Sequence, residues 1–170
     1  MTKAKGYSIW LIPAGGVYQK LSEIISQLSE KYSAPNFEPH ITLLGNLIGP
    51  EEDLISKTLK LTAQLKPFKI NLKKADYLDE YFKCLFIRAE KTKELIRANN
   101  IAREAFNFKP DPEYMPHLSL MYGDLSSKTK EEILADLGKE FDLSFEVRSI
   151  HLFSTTGEVK DWYRIKEFPS

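Results

Sequence analysis

One five-residue pattern occurs twice in this chain: proline, histidine, an apolar residue, serine or threonine, and a second apolar residue. The first copy is residues 39–43, Pro-His-Ile-Thr-Leu, and the second is residues 116–120, Pro-His-Leu-Ser-Leu. Since only 3 of the 170 residues are histidine, chance would produce the pattern at roughly 2 in 100,000 positions of such a composition. Two copies therefore indicate a repeated structural unit.

The segments around the two copies also correspond. Strand-like segments precede the histidines by the same 28–33 residues, at Tyr7–Ile12 and at Cys84–Ala89. Predicted helices begin 11 residues after them, at Glu51 and Lys128. The order strand, helix, histidine strand, helix, strand thus occurs twice. We expect an α+β fold, a duplication with two lobes related by a pseudo-twofold axis in a single bilobal domain over residues 1–170.

Hydrophobic periodicity and turn residues predict the individual elements. Strands are predicted at Tyr7–Ile12, His40–Leu44, Phe68–Tyr77, Phe82–Ala89, Pro116–Tyr122, Leu143–Phe153 and Trp162–Phe168. Helices are predicted from Val17 to Tyr32, from Pro50 to Leu65, from Thr92 to Phe106 and from Ser126 or Ser127 to Leu137. No linker between them is long enough to separate independent domains.

The repeated pattern is suited to holding a phosphate because side chains alternate along a strand. His40 and Thr42 point to one face, whereas the two apolar residues of the motif point to the other and anchor the strand in the core. The α-carbons of the histidine and the hydroxyl residue are then about 6–7 Å apart. His117 and Ser119 repeat the arrangement, so facing lobes would bring two imidazoles and two hydroxyls to one centre.

Histidine suits both proton-transfer roles because its usual pKa lies near neutrality. One neutral imidazole can take a proton from water while the other, protonated, gives one to a departing ribose oxygen. Thr42 and Ser119 would donate hydrogen bonds to the non-bridging phosphate oxygens, where charge accumulates during attack. Two histidines with two hydroxyls lack the carboxylate or third histidine that a zinc site normally uses. The pattern predicts phosphoester chemistry with no metal and no other cofactor.

Composition narrows the function classes further. The 24 basic and 24 acidic residues balance, so no overall field would attract a long nucleic acid. The single cysteine, Cys84, excludes a disulfide framework and a multi-cysteine zinc site, and we interpret it as a buried thiol. His151 has no hydroxyl residue two positions on, and is interpreted as a core histidine. No signal peptide and no span of ~20 apolar residues is found, which predicts a cytoplasmic protein without a membrane partner.

At the two motifs the sequence resembles the two-histidine phosphoesterase superfamily, whose signature is a pair of His-x-Thr/Ser motifs on facing lobes. The closer resemblance is to the cyclic phosphodiesterase family of plants and yeast, through Tyr7–Pro13, Pro39–Leu43 and Tyr114–Tyr122. It extends in outline from Tyr7 to the last predicted strand. The resemblance implies an antiparallel sheet in each lobe, helices outside and an active-site cleft between the lobes.

The same resemblance implies a hydrolase for small cyclic phosphates. Its implied substrates are ADP-ribose 1'',2''-cyclic phosphate and nucleoside 2',3'-cyclic phosphates, the latter opened to 2'-phosphates. His40 and His117 match the catalytic pair, and Thr42 and Ser119 match the hydroxyls that hold the phosphate. By analogy, His117 is expected to be the base that activates water, and His40 the acid.

Two aromatic residues, Trp10 and Tyr122, match residues of the family that contact substrate. The strand neighbours of Trp10 already supply an apolar face, so its indole could stack on a base. Strict alternation would place Tyr122 on the core face, opposite to His117. Gly123 could let the strand bulge there and re-aim the ring. The sequence therefore leaves two interpretations of Tyr122 open, contact with the substrate and packing in the core.

Two other functions are compatible with the paired motifs. An RNA 2',3'-cyclic phosphodiesterase or 2'-5' RNA ligase of the bacterial type would act on RNA 3' ends and is expected to need a basic channel. The neutral net charge and the pair Met121-Tyr122 after the second motif argue against it. A non-catalytic nucleotide or RNA sensor would tolerate loss of a histidine or hydroxyl, whereas all four are intact. Both halves of the site lie in one chain, so we expect a monomer.

Overall fold

The computed structural model describes residues 6–169, so residues 1–5 and 170 of the predicted domain lie outside the described range. The described chain forms eight strands and four α-helices. In order they are β1 (Tyr7–Leu11), α1 (Gly15–Tyr32), β2 (Ile41–Leu47), α2 (Glu51–Ala63), β3 (Phe68–Asp76), β4 (Leu85–Ala89), α3 (Lys93–Ala105), β5 (His117–Met121), α4 (Ser127–Leu137), β6 (Glu140–Val147), β7 (Ser149–Ser154) and β8 (Tyr163–Pro169). Short 3₁₀ turns at Tyr81–Lys83 and Val159–Asp161 precede β4 and β8. The predicted α+β class is confirmed.

The strands form one curled antiparallel sheet in the order β6-β3-β4-β5-β2-β1-β7-β8. The two motif strands, β5 and β2, are its central pair, and they are joined through the residue pair Ile41–Leu118. Each motif strand also pairs with its outer neighbour over several residues, β2 with β1 and β5 with β4. The sheet therefore divides at the motif strands into two four-stranded halves, β6-β3-β4-β5 and β2-β1-β7-β8. These halves are the predicted antiparallel sheets of the two lobes.

Helices α1 and α3 each pack against the half of the sheet opposite to that of the strand preceding them in the chain. α1 follows β1 in the chain but packs against β5 of the opposite half, and α3 follows β4 but packs against β2. The face of α1 that is buried carries Leu21, Ile25 and Leu28, at the spacing of one helical stripe. Buried apolar residues of both halves form one continuous cluster. The exchange is the same in both halves, as a duplication would produce, although the duplication and the single domain stay predictions.

The starts of α3 and α4 follow from capping residues in the sequence. The hydroxyl of Thr92 accepts a hydrogen bond from the backbone N–H of Leu95 at the start of α3. At the start of α4 the hydroxyl of Ser126 accepts from the backbone N–H of Thr129, so Ser126 is the cap and Ser127 is the first helical residue. Each cap satisfies a backbone donor that the first turn leaves without a partner.

One predicted strand is two strands in the structure. The segment Leu143–Phe153 was predicted as continuous, but β6 pairs with β3 at one edge of the sheet and β7 lies between β1 and β8 in the other half. The chain changes halves at Arg148, which lies between the two strands. Inward apolar positions are odd-numbered before it, as at Phe145, and even-numbered after it, as at Ile150. That change of phase is the sequence signal of the break.

Candidate active site

The two motif strands place their chemistry at the middle of the sheet. Ile41 of β2 pairs with Leu118 of β5, and both side chains are fully buried in the core. The antiparallel register set by this pair places His40 opposite Ser119 and His117 opposite Thr42. Side chains that face each other across an antiparallel pair are about 4.5–5.5 Å apart at their β-carbons. The strand pairing itself therefore brings the two motifs together.

Both motif strands carry a bulge at the same motif position. The pairing of β1 with β2 passes over Leu43, and the pairing of β4 with β5 passes over Leu120. In β2 the bulged backbone is held by two side chains from elsewhere. The buried amide of Asn99 donates to the Leu43 carbonyl and the hydroxyl of Tyr114 donates to the Thr42 carbonyl, both at 2.9 Å. Because a bulge twists its strand, these bulges orient the side chains beside them.

A cavity of about 270 Å³ lies over the meeting point of the motif strands. Residues from both halves of the sheet line it, as the predicted position between the lobes requires. All six residues predicted from the sequence are among them: Trp10, His40, Thr42, His117, Ser119 and Tyr122. The structure thus brings the six side chains to one site, while the roles assigned to them stay predictions.

Each motif histidine is fixed by the backbone two residues before it. Nδ1 of His40 lies 2.7 Å from the carbonyl oxygen of Glu38, and Nδ1 of His117 lies 2.8 Å from that of Met115. A carbonyl oxygen only accepts, so Nδ1 of each imidazole carries the hydrogen and donates it. Nε2 is then an acceptor in the neutral ring and a donor in the protonated ring. Both histidines are therefore arranged to exchange a proton through Nε2.

Burial keeps both imidazoles neutral in the free protein. Desolvation lowers the pKa of His40, which is 5 % exposed, to about 3; its backbone hydrogen bond opposes the shift, and the charge of His117 adds to it. Burial also lowers the pKa of His117, against the opposing backbone hydrogen bond, and Lys83 and Arg88 lower it further. At neutral pH both rings are acceptors at Nε2. Either ring becomes an acid only when a negative charge arrives nearby.

The hydroxyl of Ser119 is held loosely. Its Oγ donates to the carbonyl oxygen of Phe82 at 3.3 Å, which is long for a hydroxyl donor. The hydroxyl of Tyr122 is also within hydrogen-bonding reach of Ser119. Thr42, on the other motif strand, is partly exposed where it lines the cavity. Little free energy would therefore be lost if the Ser119 hydroxyl donated its hydrogen bond to a ligand oxygen instead.

Trp10 of β1 forms a wall behind His40. Its indole is parallel to the imidazole with ring centroids 3.4 Å apart, and Phe153 covers the other face with centroids 3.8 Å apart. Because both faces are covered and Trp10 is only 2 % exposed, the edge of the indole is what remains for the cavity. Stacking of a base on Trp10, as we expected from the sequence, does not fit this arrangement. Contact between Trp10 and substrate stays a prediction, and in this arrangement the edge of the indole would make that contact.

Tyr122 lines the cavity although strict alternation would turn it towards the core. β5 ends at Met121, so the alternation of the strand does not extend to Tyr122. Its ring stacks on Phe37 with centroids 4.1 Å apart, and burial raises the pKa of its hydroxyl. Tyr122 is thus packed among aromatic residues and still reaches the site.

Comparisons with known proteins identify the family of the chain. The family model described as cyclic phosphodiesterase-like protein matches residues 5–168. The chain belongs to this family. The predicted membership of the two-histidine phosphoesterases and the predicted hydrolase class are thereby confirmed.

Relatives within and around the cyclic phosphodiesterase-like family cover nearly the whole chain. A cyclic phosphodiesterase of Arabidopsis thaliana is 25 % identical over 158 residues, which are 91 % of this chain and 87 % of the relative. A 2',3'-cyclic-nucleotide 3'-phosphodiesterase of Yarrowia lipolytica is 28 % identical over 207 residues, covering 92 % and 96 %. The crystal structure of E. coli LigT complexed with 3'-AMP has a TM-score of 0.67 at 13 % identity, covering 97 % of each chain, and shows the same fold.

The cavity is also lined by residues that the sequence analysis did not single out: Ser8, Gly45, Asn46, Phe82, Lys83, Thr155 and Trp162. The strand predicted from Phe82 begins only at Leu85, and the 3₁₀ turn Tyr81–Lys83 carries Phe82 and Lys83 to the cavity. Trp162 follows the second 3₁₀ turn and stacks on Phe82 with centroids 5.8 Å apart. No local sequence pattern distinguishes Phe82 and Lys83 from the strand residues that follow them.

The two halves of the cavity differ at one equivalent position. Five residues after His117 stands Tyr122, whereas five residues after His40 stands Gly45, which has no side chain to fill the space. Asn46 follows in the left-handed region with φ 58° and also lines the cavity. The cavity is therefore lined by an aromatic ring at one position and by a glycine at the equivalent position of the other half.

The third histidine and the cysteine occupy other places. His151 is buried and accepts a hydrogen bond at Nδ1 from Nε of Arg164 at 3.1 Å. Burial lowers the pKa of His151, and the charge of Arg164 lowers it further, so the ring is neutral. Cys84 is a free and fully buried thiol. Both placements agree with the interpretation of these residues as core residues.

A metal-binding cluster and a membrane-spanning helix are both absent from residues 6–169. No three His, Cys, Asp or Glu side chains are grouped so that they could hold a metal ion. No helix of this range combines the length and the apolar character that a membrane crossing requires. Metal independence, the monomeric state and the cellular location stay predictions.

Proposed function

We propose that this protein hydrolyses small cyclic phosphates through a histidine base and a histidine acid, without a metal ion. The observation that carries the proposal is the pair His40 and His117, each with Nδ1 bonded to a backbone carbonyl, lining one cavity with two hydroxyl residues. The proposed substrates are ADP-ribose 1'',2''-cyclic phosphate and nucleoside 2',3'-cyclic phosphates. The name of the Yarrowia relative, a 3'-phosphodiesterase, supports opening at the 3' oxygen and a 2'-phosphate product.

In the proposed reaction, water attacks the phosphorus of a 2',3'-cyclic phosphate while Nε2 of His117 accepts its proton. The bond from phosphorus to the 3' oxygen breaks, and protonated Nε2 of His40 gives its proton to that oxygen. Thr42 and Ser119 donate hydrogen bonds to the non-bridging oxygens as their charge grows. A proton must afterwards pass from His117 to His40 through solvent before the next cycle.

The neighbours of the two rings support this division of roles. Lys83 and Arg88 disfavour a positive charge on His117, which keeps it neutral and suited to be the base. The indole of Trp10 lies flat on His40, and an aromatic face attracts a cation. Burial holds the pKa of the free His40 at about 3, so the anionic substrate has to raise it on binding. A cyclic phosphate diester brings that negative charge.

The size and lining of the cavity support a substrate of about one nucleotide. Its volume is about 270 Å³, slightly below the lower end of the range of ≈ 300–1,000 Å³ usual for small-molecule sites. Phe82, Tyr122 and Trp162 supply aromatic surface for a base, and Lys83 supplies a positive charge. The structural neighbour LigT is described as complexed with 3'-AMP, which agrees with this size. We propose no membrane partner, and a monomer is sufficient because both halves of the site belong to one chain.

Product analysis tests the proposal. The protein is incubated in one buffer with ADP-ribose 1'',2''-cyclic phosphate, with a 2',3'-cyclic mononucleotide and with a short RNA that ends in a 2',3'-cyclic phosphate. Turnover of both small substrates, with a 2'-phosphate from the mononucleotide, is expected. Turnover of the RNA alone would favour the RNA cyclic phosphodiesterase, and binding without turnover of any substrate would favour the sensor. His117→Ala serves as the inactive control.

A further inference from the structure

We propose that Arg164 is a positioning residue for His40, because it holds both supports of that imidazole in place. The supports are the backbone at Glu38, which fixes Nδ1, and the ring of Trp10, which lies against the imidazole. The inference rests on the proposed catalytic role of His40. Arg164 lies on β8, far from the motifs in sequence, and does not line the cavity.

The first support is tied down through a carboxylate. Nη2 of Arg164 donates to both carboxylate oxygens of Glu38, at 2.9 and 2.8 Å. The hydroxyl of Tyr18 on α1 donates to Oε1 of the same carboxylate at 3.0 Å. The carbonyl of Glu38 accepts the hydrogen of His40 Nδ1. The side chain of Glu38 is therefore anchored to a strand and a helix while its backbone holds the imidazole.

The second support is a column of stacked rings. The guanidinium of Arg164 lies over the ring of Phe153, 4.9 Å from its centroid. Phe153 stacks on Trp10 with an angle of 18° between the planes, and Trp10 stacks on His40 with an angle of 6°. Arg164 thus stands at one end of the column and the imidazole at the other. A shift of the guanidinium would loosen both supports at once.

The orientation of Arg164 is itself fixed. Its Nε donates to Nδ1 of His151 at 3.1 Å, and in the strand pairing Arg164 lies opposite Phe153. This gives the buried His151 a structural role as an acceptor. A guanidinium can bond Glu38 and His151 and cover Phe153 together because its donors form a planar fork, which an ammonium group does not offer.

The expected effect differs from that of a merely structural ion pair. The side chains of Glu38 and Arg164 are 25 % and 39 % exposed, and pairs exposed to this degree contribute little to folding stability. Misplacing a catalytic group by about 1 Å can lower the rate about 10²-fold. Loss of the pair should therefore slow turnover far more than it lowers the melting temperature.

Kinetics of Arg164→Gln, Glu38→Gln and the double variant test the proposal. Asp142→Asn is the control, because it breaks the exposed pair Lys73–Asp142 at the opposite edge of the sheet.

Each single variant should lose about 10–100-fold in kcat with little change in KM, and Arg164→Lys should lose less. The double variant should be no slower than the slower single variant, because the pair acts as a unit. The control should keep its kcat, and melting temperatures should fall by less than about 5 °C. Unchanged kcat in both single variants, or losses that multiply in the double variant, would overturn the proposal.

Nitrogen NMR of the imidazoles gives a readout that does not require activity. The wild type should show a protected Nδ1–H signal for His40, and in Arg164→Gln this proton should exchange faster with solvent while that of His117 is unchanged. An unaltered His40 signal would overturn the positioning role. Failure of the wild type to hydrolyse any cyclic phosphate would overturn the proposed function instead, and the NMR comparison would still decide the role of Arg164.

Discussion

The indole of Trp10 lies parallel to the imidazole of His40, with ring centroids 3.4 Å apart and 6° between the planes. Phe153 covers the other face of the indole, so Trp10 is a fixed support. An aromatic face stabilises a nearby cation by about 0.5–2 kcal/mol. The stack therefore opposes the effect of burial, which lowers the pKa of His40.

Removing the stack should change the pH dependence of turnover. In Trp10→Leu the protonated form of His40 loses its aromatic neighbour, so its pKa in the substrate complex should fall by up to about one unit. Because the acid must be protonated, activity is lost as pH rises through that pKa, and the alkaline limb of kcat should move to lower pH. Trp10→Phe keeps an aromatic face and should shift the limb less. Coincident alkaline limbs in all three proteins would contradict the role of the stack.

The hydroxyls should matter to rate and little to folding. Thr42→Val should lower kcat about 10²–10³-fold, the scale for one donor to a developing oxyanion. Ser119→Ala should have a loss of the same order. Thr129→Val, on α4 and outside the cavity lining, is the matched control and should keep its activity. Full activity of Thr42→Val would rule out phosphate binding by that hydroxyl.

Burial of His40 predicts how stability depends on pH. The pKa of this ring is about 3 in the folded protein against 6.5 in the unfolded chain, so between these values the unfolded chain binds more protons. Stability therefore falls as pH falls, by on the order of 3 kcal/mol between pH 7.5 and pH 4.5 from His40 alone. In His40→Gln the loss measured by urea unfolding at the two pH values should be smaller by roughly that amount. Equal losses in both proteins would show that His40 titrates normally.

The local parts of the fold were predictable because their causes are local. Thr92 caps α3 through a residue three positions away, and the apolar stripe of α1 repeats with the helical period. The break at Arg148 was missed, although the buried apolar positions change phase there, because the residues on both sides suit a strand. What separates β6 from β7 is their pairing with strands in different halves of the sheet, and neighbouring residues do not encode that choice.

The site was predictable to the extent that it is written in the motifs. His40 and Thr42 share a face by strand alternation alone, and the same holds in the second motif. Lys83 reaches the cavity through a turn that was predicted as strand, and Arg164 meets Glu38 from 126 residues away. The covering of Trp10 by Phe153 likewise depends on the pairing of β1 with β7. Such contacts follow from sheet topology and leave no local pattern.

Removal of divalent metal ions should leave the activity intact. Proton transfer and hydrogen bonding in the proposed reaction come from His40, His117, Thr42 and Ser119 alone. Dialysis against a strong chelator should therefore change kcat and KM by less than about twofold, which is small against the 10²–10⁴-fold contribution of one acid or base. Loss of activity that only an added divalent ion restores would contradict the mechanism.

The two histidines should be jointly required. His40→Ala and His117→Ala should each lower kcat by about 10²–10⁴-fold, equivalent to roughly 3–5 kcal/mol of barrier. Turnover of the wild type should follow a bell-shaped pH profile whose limbs belong to the coupled pair. The double variant should lose less than the product of the single losses, because the two groups act in one step.

The nature of the leaving group separates the acid from the base. A cyclic phosphate or model diester with a good leaving group needs little protonation of the departing oxygen, so it should restore much of the rate lost in His40→Ala. The same substrate still needs an activated water, so His117→Ala should stay slow. Rates of both variants with a poor and a good leaving group, measured at one pH, give the comparison. Rescue confined to His117→Ala would exchange the two roles, whereas near-normal turnover of the natural substrate by either variant would contradict the two-histidine mechanism itself.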